Sequence, residues 1–181
     1  VVPLKDKEVS VGVIIVMGVS GAGKTTVGQI LAEKLSWNFS DADDFHSSEN
    51  KAKMNKSIPL TDDDRKSWLE SLSKHIGESL ECSRPLVLAC SALKRSHRAI
   101  LAQGNEGIFF VYLRGDMDLI KGRLEERKGH FMSPALLKNQ FEALEEPTPD
   151  DAVHVDISPE PEKIVDTIIS HMKSDLVIEL S

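Results

Sequence analysis

The chain alternates between short apolar runs and longer segments in which apolar residues return every third or fourth position. Val13 to Met17 (VIIVM) is an unbroken apolar run, read as a buried strand, and directly after it Val27, Ile30, Leu31 and Leu35 recur at helical spacing. The same succession then repeats. Trp37–Ser40 (WNFS), Pro85–Cys90 (PLVLAC), Ile108–Leu113 (IFFVYL) and Val153–Ile157 read as four further strands. Ser47–Met54 reads as a short helix. Thr61-x-x-Asp64 is a capping box that opens a longer one, with Trp68, Leu69, Leu72, Ile76 and Leu80 on its core face. Another helix follows Ser91–Arg95 and runs through Leu101, and Asp116 opens one with Met117, Ile120 and Leu124 inward. Ser133-Pro134 restarts a helix carrying Leu137, Phe141 and Leu144. After a Pro-containing loop over Glu145–Asp151, Ser158-Pro159 is expected to cap a last helix that uses Ile164, Val165, Ile168 and Met172. The tail Asp175–Ser181 is apolar enough to pack. Five strands alternating with helices predict an α/β fold: a parallel sheet with right-handed crossovers and helices on both faces.

Between the first strand and the first helix lies the pattern G-x-x-x-x-G-K-[ST], from Gly18 through Gly23, Lys24 and Thr25. Strand, glycine loop and helix stand in the order a phosphate-binding loop requires. Gly18, Gly21 and Gly23 permit backbone angles and close approaches that a Cβ would obstruct, so successive N–H groups can turn onto a phosphate chain. The first helix adds its positive end. Gly18, Val19, Ser20, Gly21, Ala22, Gly23, Lys24, Thr25 and Thr26 are therefore expected to hold a nucleotide. Lys24 would reach the β- and γ-phosphates, and the Thr25 hydroxyl would serve Mg²⁺.

The length of 181 residues suits a single domain with a proper core. With 29 acidic against 22 basic side chains, a sequence-independent grip on nucleic acid is not expected, while a small anionic substrate held by a local basic cluster is compatible. Cys82 and Cys90 lack metal-ligand spacing and read as reduced, structural thiols. No run reaches the length of a membrane span. The first ten residues have neither a signal peptide's apolar core nor the character of a transit peptide, and a cytoplasmic location is expected, although a chain starting on Val can have lost an upstream segment.

Neither PLVLAC nor IFFVYL ends in the second metal-binding Asp that many P-loop proteins carry, and acids crowd the end of the second strand instead: Asp41-Ala42-Asp43-Asp44-Phe45-His46. In an open α/β sheet the carboxyl ends of the strands face the ligand crevice. Asp41 reads as holding Mg²⁺ through its waters. Asp43, on the same side if the backbone stays extended, reads as the base that takes a proton from an attacking hydroxyl. A solvated acidic turn is the plainer reading of the same cluster. His46 could touch a substrate hydroxyl. For an acceptor with its own negative charge the candidate cations are Arg65, Lys94, Arg98 and Arg127, and a closing loop bearing Arg127, Lys128 and His130 would suit phosphoryl transfer.

GVSGAGKTT, DADDFH, PLTDDDRKSWL, CSALKRSHR, RKGHFM and QFEALEEP, in this order over nearly the whole chain, resemble the motifs of the gluconate kinases, within the shikimate-kinase and nucleoside-monophosphate-kinase group. The resemblance implies transfer of the ATP γ-phosphate to the 6-hydroxyl of D-gluconate, giving 6-phosphogluconate for the pentose phosphate route. It implies a P-loop NTPase fold with sheet order 2-3-1-4-5, a substrate-binding helical segment over about residues 44–82, a lid over about 127–144, and a homodimer. By it, Asp41 and Asp43 serve metal and acceptor hydroxyl. Arg65 and the Ser91 to Arg98 turn, with Lys94, line the sugar-acid pocket, and Arg127 to His130 belong to the lid. Another small-molecule kinase of this architecture is the alternative, although Cys90-Ser91-Ala92-Leu93-Lys94 is not the Gly-Gly pair of shikimate kinases. A GTP-dependent switch is the reading from another class, and the nearest string to its N-K-x-D guanine reader, Asn55-Lys56-Ser57-Ile58, lacks the Asp.

Overall fold

The computed structural model describes residues 10–127 and 133–175. Its strands are β1 (Val13–Met17), β2 (Asn38–Asp41), β3 (Leu86–Ala89), β4 (Ile108–Arg114) and β5 (Val153–Asp156). Its α-helices are α1 (Lys24–Leu35), α2 (Ser48–Asn55), α3 (Asp62–Glu81), α4 (Arg95–Ala102), α5 (Met117–Glu126), α6 (Pro134–Ala143) and α7 (Pro161–Asp175), and a 3-10 turn spans Ala42–Phe45. The sheet order is β2-β3-β1-β4-β5, as expected. Every pairing is parallel.

β1 lies at the centre because its five residues are all apolar and all buried, which only an interior strand covered on both faces can satisfy. Ile14 and Val16 pack with Val27 and Leu31 of α1 and Val165 and Ile168 of α7. Val13, Ile15 and Met17 face the other way, onto Trp68, Leu72 and Ile76 of α3 and Leu101 of α4. Alternation along one strand thus builds two cores. At the β1 carboxyl end the chain leaves the sheet between β3 and β4, where the order of the strands reverses and ligand crevices form.

The caps follow the sequence closely. Ser47 Oγ accepts from Asn50 N–H, Thr61 and Asp64 form the reciprocal capping box, and Asp116 and Ser133 each accept from the N–H three residues on. Three local expectations are corrected. Met117 is an exposed apolar side chain; only Ile120 of its helix is fully buried and Leu124 is partly covered. Ser158 caps no helix, because its N–H and hydroxyl both donate to Asp156, at 2.9 and 2.7 Å, and α7 begins at Pro161. The chain after Asp41 does not stay extended but winds into the 3-10 turn, since the Asp41 carboxylate accepts the Asp43 N–H and caps it. Cys82 is exposed and Cys90 buried, both as free thiols. The residues before Ser10, Lys128 and His130 of the closing loop, and positions 176–181 of the tail lie outside the described residues.

One glycine sets the register of the central strands. Gly107 has φ +87°, and its carbonyl accepts from Gly12 N–H at 2.9 Å and Val13 N–H at 3.1 Å, starting β1 beside β4. A Cβ there would lie 2.8 Å from the Ser10 carbonyl oxygen. Gly107→Ala is therefore expected to lower stability by about 1–3 kcal/mol, through backbone strain and the displaced carbonyl. The midpoint of urea unfolding measures it, with Gly104→Ala, also at positive φ but with nothing near its Cβ, as the milder comparison.

Candidate active site

The glycine loop joins β1 to α1 in a shape its neighbours help to hold. Gly21 has φ +82°, and a Cβ on it would lie 2.9 Å from Leu124 Cγ of α5. Gly23 ends the loop at φ +96° as the N-cap of α1, with no side-chain bond to the helix end. The first N–H groups of α1 are thus left for a ligand. Three N–H groups of the loop itself already have acceptors: Gly18 N–H donates to the Ser91 carbonyl at 3.3 Å, Ala22 N–H to the Val19 carbonyl at 3.2 Å, and Ser20 N–H to Gln140 Oε1 of α6 at 2.6 Å.

Lys24 is half-buried and its Nζ donates to the Val19 carbonyl at 3.0 Å. Desolvation lowers its pKa from the ordinary lysine value, and Arg127 works in the same direction, while the charges of Asp43 and Asp41 oppose them. Asp43 moves the other way. Desolvation raises its carboxyl above the ordinary value, Asp41 adds to the rise, and Lys24 holds it back. Thr25 Oγ1 donates to Asp41 Oδ2 at 2.7 Å, while Asp41 Oδ1 accepts the Asp43 N–H at 3.0 Å. This hydroxyl and carboxylate are a hard, oxygen-only pair, and among the described residues no group of three or more His, Cys, Asp or Glu could hold a metal. Such a sparse set suits Mg²⁺, which keeps several waters and takes further ligands from phosphates.

The glycine loop opens into a cavity of about 910 Å³ that is also lined by Asp41, Asp43, His46, Arg65, Ser91, Lys94 and Arg127. The structure therefore brings together, in one space, most of the residues singled out from the sequence, with Gly18, Val19, Ala22 and Arg98 outside the lining. Val19 and Ala22 are buried beneath the loop, and Thr26 lines the cavity at the start of α1. His46 stacks on Trp68 with ring centroids 4.3 Å apart and planes 12° from parallel, and Trp68 Nε1 donates to the Ala42 carbonyl at 2.7 Å, locking the platform. Burial, with Arg65 and Lys51 nearby, lowers the His46 pKa to about 4. Lys94 Nζ donates to both carboxylate oxygens of Asp62, at 2.9 and 3.0 Å, and Arg65 lies 3.8 Å from the same group.

Arg98 departs from expectation. It is buried, and its guanidinium donates to the carbonyls of Ala92 (2.9 Å), Leu93 (3.1 Å) and Glu145 (2.9 Å), outside the lining of the cavity. Its three bonds brace the turn after β3. His97, within the Ser91 to Arg98 turn and three positions after Lys94 at the start of α4, lines the cavity although it was not singled out by itself. Gln140, in the wall, and Asp62, which meets Lys94 but is not among the lining residues, carried no local signal, because their partners lie 120 and 32 residues away.

Comparison with known proteins fits this geometry. A family model described as Shikimate kinase matches residues 20–173. The chain is 43% identical over 180 residues to the mouse (Mus musculus) protein named "Probable gluconokinase", covering 90% of this chain and 98% of that one. It is 45% identical over 146 residues to the thermosensitive gluconokinase of Escherichia coli, covering 80% and 78%. A gluconokinase structure from Sinorhizobium meliloti superposes with a TM-score of 0.82 at 41% identity, over 92% of this chain and 94% of that one. The chain belongs to the gluconokinase family of P-loop kinases. Within this family its α/β fold is that of a P-loop kinase.

Two outcomes are expected from the geometry. Arg98→Met leaves three carbonyls without their donor and should lower stability by about 2–4 kcal/mol. Lys94→Ala, which loses only an exposed ion pair, should shift the urea midpoint by less than about 1 kcal/mol. For His46, the unfolded ring takes its proton near pH 6.5 and the folded ring only near 4. The unfolded state thus binds more protons in that window. Stability should be complete above pH 6.5 and fall as pH drops toward 4, by on the order of 2–3 kcal/mol. His97, also held below its ordinary value by burial, adds to the slope. Urea midpoints between pH 7 and 4.5 for wild type and His46→Phe measure it, the variant giving the flatter profile.

Proposed function

We propose that this chain transfers the γ-phosphoryl group of ATP to the 6-hydroxyl of D-gluconate, giving 6-phosphogluconate and ADP. The observation that carries this reading is the single cavity in which the Lys24 and Thr25 end of a phosphate loop meets the Asp41–Asp43 pair and a set of cations on α3 and the β3–α4 turn. The names of relatives at 38–45% identity support gluconate as the acceptor.

Gly21 to Thr26 bind the phosphates through loop N–H groups and the start of α1, and Lys24 places its ammonium against the β- and γ-phosphates. Thr25 and Asp41 are the residues that would hold Mg²⁺, which when bound neutralises charge on the phosphates. Asp43 accepts the proton of the 6-hydroxyl as that oxygen bonds to the γ-phosphorus and the bond from phosphorus to the β–γ bridging oxygen breaks. Its raised pKa makes it a better base than an ordinary aspartate while it is ionised. Arg65 and Lys94 hold the gluconate carboxylate, Ser91 and His46 face its hydroxyls, and Arg127 balances charge on the group in transit. His130 belongs to the same reading as part of the lid, about residues 127–144, with the substrate-binding segment over about 44–82. The reading extends to a cytoplasmic homodimer whose product enters the pentose phosphate route.

ADP release with Mg²⁺ and ATP, measured against D-gluconate, shikimate, nucleoside monophosphates and no acceptor, tests the substrate. Release that depends on gluconate alone is the expected result; release with another acceptor, or equally with none, would overturn the assignment. Asp43→Asn should keep ATP binding and lose roughly 10²–10⁴-fold in turnover. In the wild type, kcat should fall on the acid side as Asp43 is protonated, at a pH above that of an ordinary aspartate. Wild-type turnover in Asp43→Asn would show the base to be misassigned.

A further inference from the structure

Gln140 makes a contact that the phosphoryl-transfer reading leaves unused. Ser20 N–H donates to its Oε1 at 2.6 Å, and its Nε2 donates to Ser20 Oγ at 3.2 Å. The two bonds fix which way the carboxamide points, since the reversed amide would set NH₂ against the Ser20 N–H. They join the third position of the glycine loop to α6, and both residues line the central cavity.

The helix that carries Gln140 is itself held at both ends. Ser133 caps its start, its Oγ accepting Leu136 N–H at 3.2 Å. Just past its end Glu145 N–H donates to the Leu93 carbonyl at 2.9 Å, and the Glu145 carboxylate accepts Arg95 N–H at 2.7 Å. Gln140 is therefore positioned from outside the loop, by a helix tied to the β3–α4 turn. The loop needs such a support. Gly18, Gly21 and Gly23 all have positive φ, and glycines lose the most conformational freedom when a ligand orders them.

We propose that Gln140 is a positioning residue for the nucleotide: its two bonds to Ser20 hold the glycine loop in its phosphate-receiving shape before ATP arrives. With the Ser20 N–H taken up by Gln140 and the Ala22 N–H donated to the Val19 carbonyl, the Gly21 N–H and those from Gly23 onward are the free donors. The ordering cost is met during folding and not at binding, which raises affinity without any contact between Gln140 and the nucleotide. The inference rests on the reading of Gly18–Thr25 as the ATP phosphate site.

The test is binding of a non-hydrolysable ATP analogue, by calorimetry, to wild type, Gln140→Leu, Ser20→Ala and Lys24→Ala, with KM for ATP and kcat measured on the first three. Gln140→Leu keeps the volume and removes both bonds; it should weaken the analogue and raise KM for ATP by roughly 5- to 10-fold, with kcat at saturating ATP changed less than about twofold. Ser20→Ala keeps the bond through the backbone and should lose less than about threefold. Exchange of the Ser20 amide hydrogen should quicken in Gln140→Leu, and Gln140→Ala replaces it if its unfolding midpoint has dropped. If Gln140→Leu binds the analogue as wild type does while Lys24→Ala does not, the positioning role is wrong and the phosphate site stands. If Lys24→Ala also binds as wild type, the phosphate-site reading falls and takes the inference with it.

Discussion

The Lys24 ammonium, drawn out of water and bonded to the Val19 carbonyl 3.0 Å away, is the charge around which the site is balanced. Desolvation lowers its pKa, and the Asp43 and Asp41 carboxylates oppose that shift. The dependence is mutual, since desolvation and Asp41 push the Asp43 carboxyl up and Lys24 restrains it. A lysine and an aspartate in one cavity thus hold each other's charged forms in place before any phosphate enters. In the proposed reaction a nucleotide would bring negative charge to Lys24, and the Asp43 carboxylate would accept a hydroxyl proton. The pair that balances its own charges is the pair that reaction would employ.

That balance depends on the sheet. β1 delivers the glycine loop and β2 delivers Asp41, and these strands are not neighbours, because β3 lies between them. The reach from one to the other is closed by Thr25, whose hydroxyl donates to Asp41 at 2.7 Å, and by the 3-10 turn that swings Asp43 beyond the strand end. Cys90, at the end of the intervening β3, is buried and its thiol is pushed up to about 12, so it remains an uncharged wall of the cavity. A second acid at that position would face Lys24 from a third side. With a thiol there, the acidic role passes to β2.

On the acceptor side, cations divide by how they are satisfied. Arg98 spends its donors on three carbonyls and sculpts the turn that presents Lys94. Lys94 and Arg65 instead meet the Asp62 carboxylate, an exposed partner at the first turn of α3 that an incoming anion can replace. Beside them the His46 ring, stacked on Trp68 and kept neutral by burial, supplies polarity without charge. α6 touches both halves of the cavity, through Gln140 at the glycine loop and, just beyond its end, Glu145 at the β3–α4 turn.

Much of this was legible in the chain alone, because the signals are local. The run VIIVM could only be buried on both sides, the glycine loop followed it directly, and the Thr61–Asp64 capping box needed only four residues to be recognised. The sheet order, by contrast, came with the family resemblance, and the structure agrees with it. Where the helix-cap and strand patterns failed, a carboxylate two residues away had the stronger claim. Ser158 bonded back to Asp156 before it could cap α7, and Asp41 took the Asp43 N–H and bent the chain out of the extended form. Sequence alone thus determined the elements, the phosphate loop and the set of charged candidates, since periodicity, capping and glycine spacing act within a few residues. Only the tertiary structure decided which charges face the cavity: Arg98 was turned to three carbonyls and Gln140 brought to Ser20 by contacts that chain folding creates between distant residues, and no local pattern encodes them.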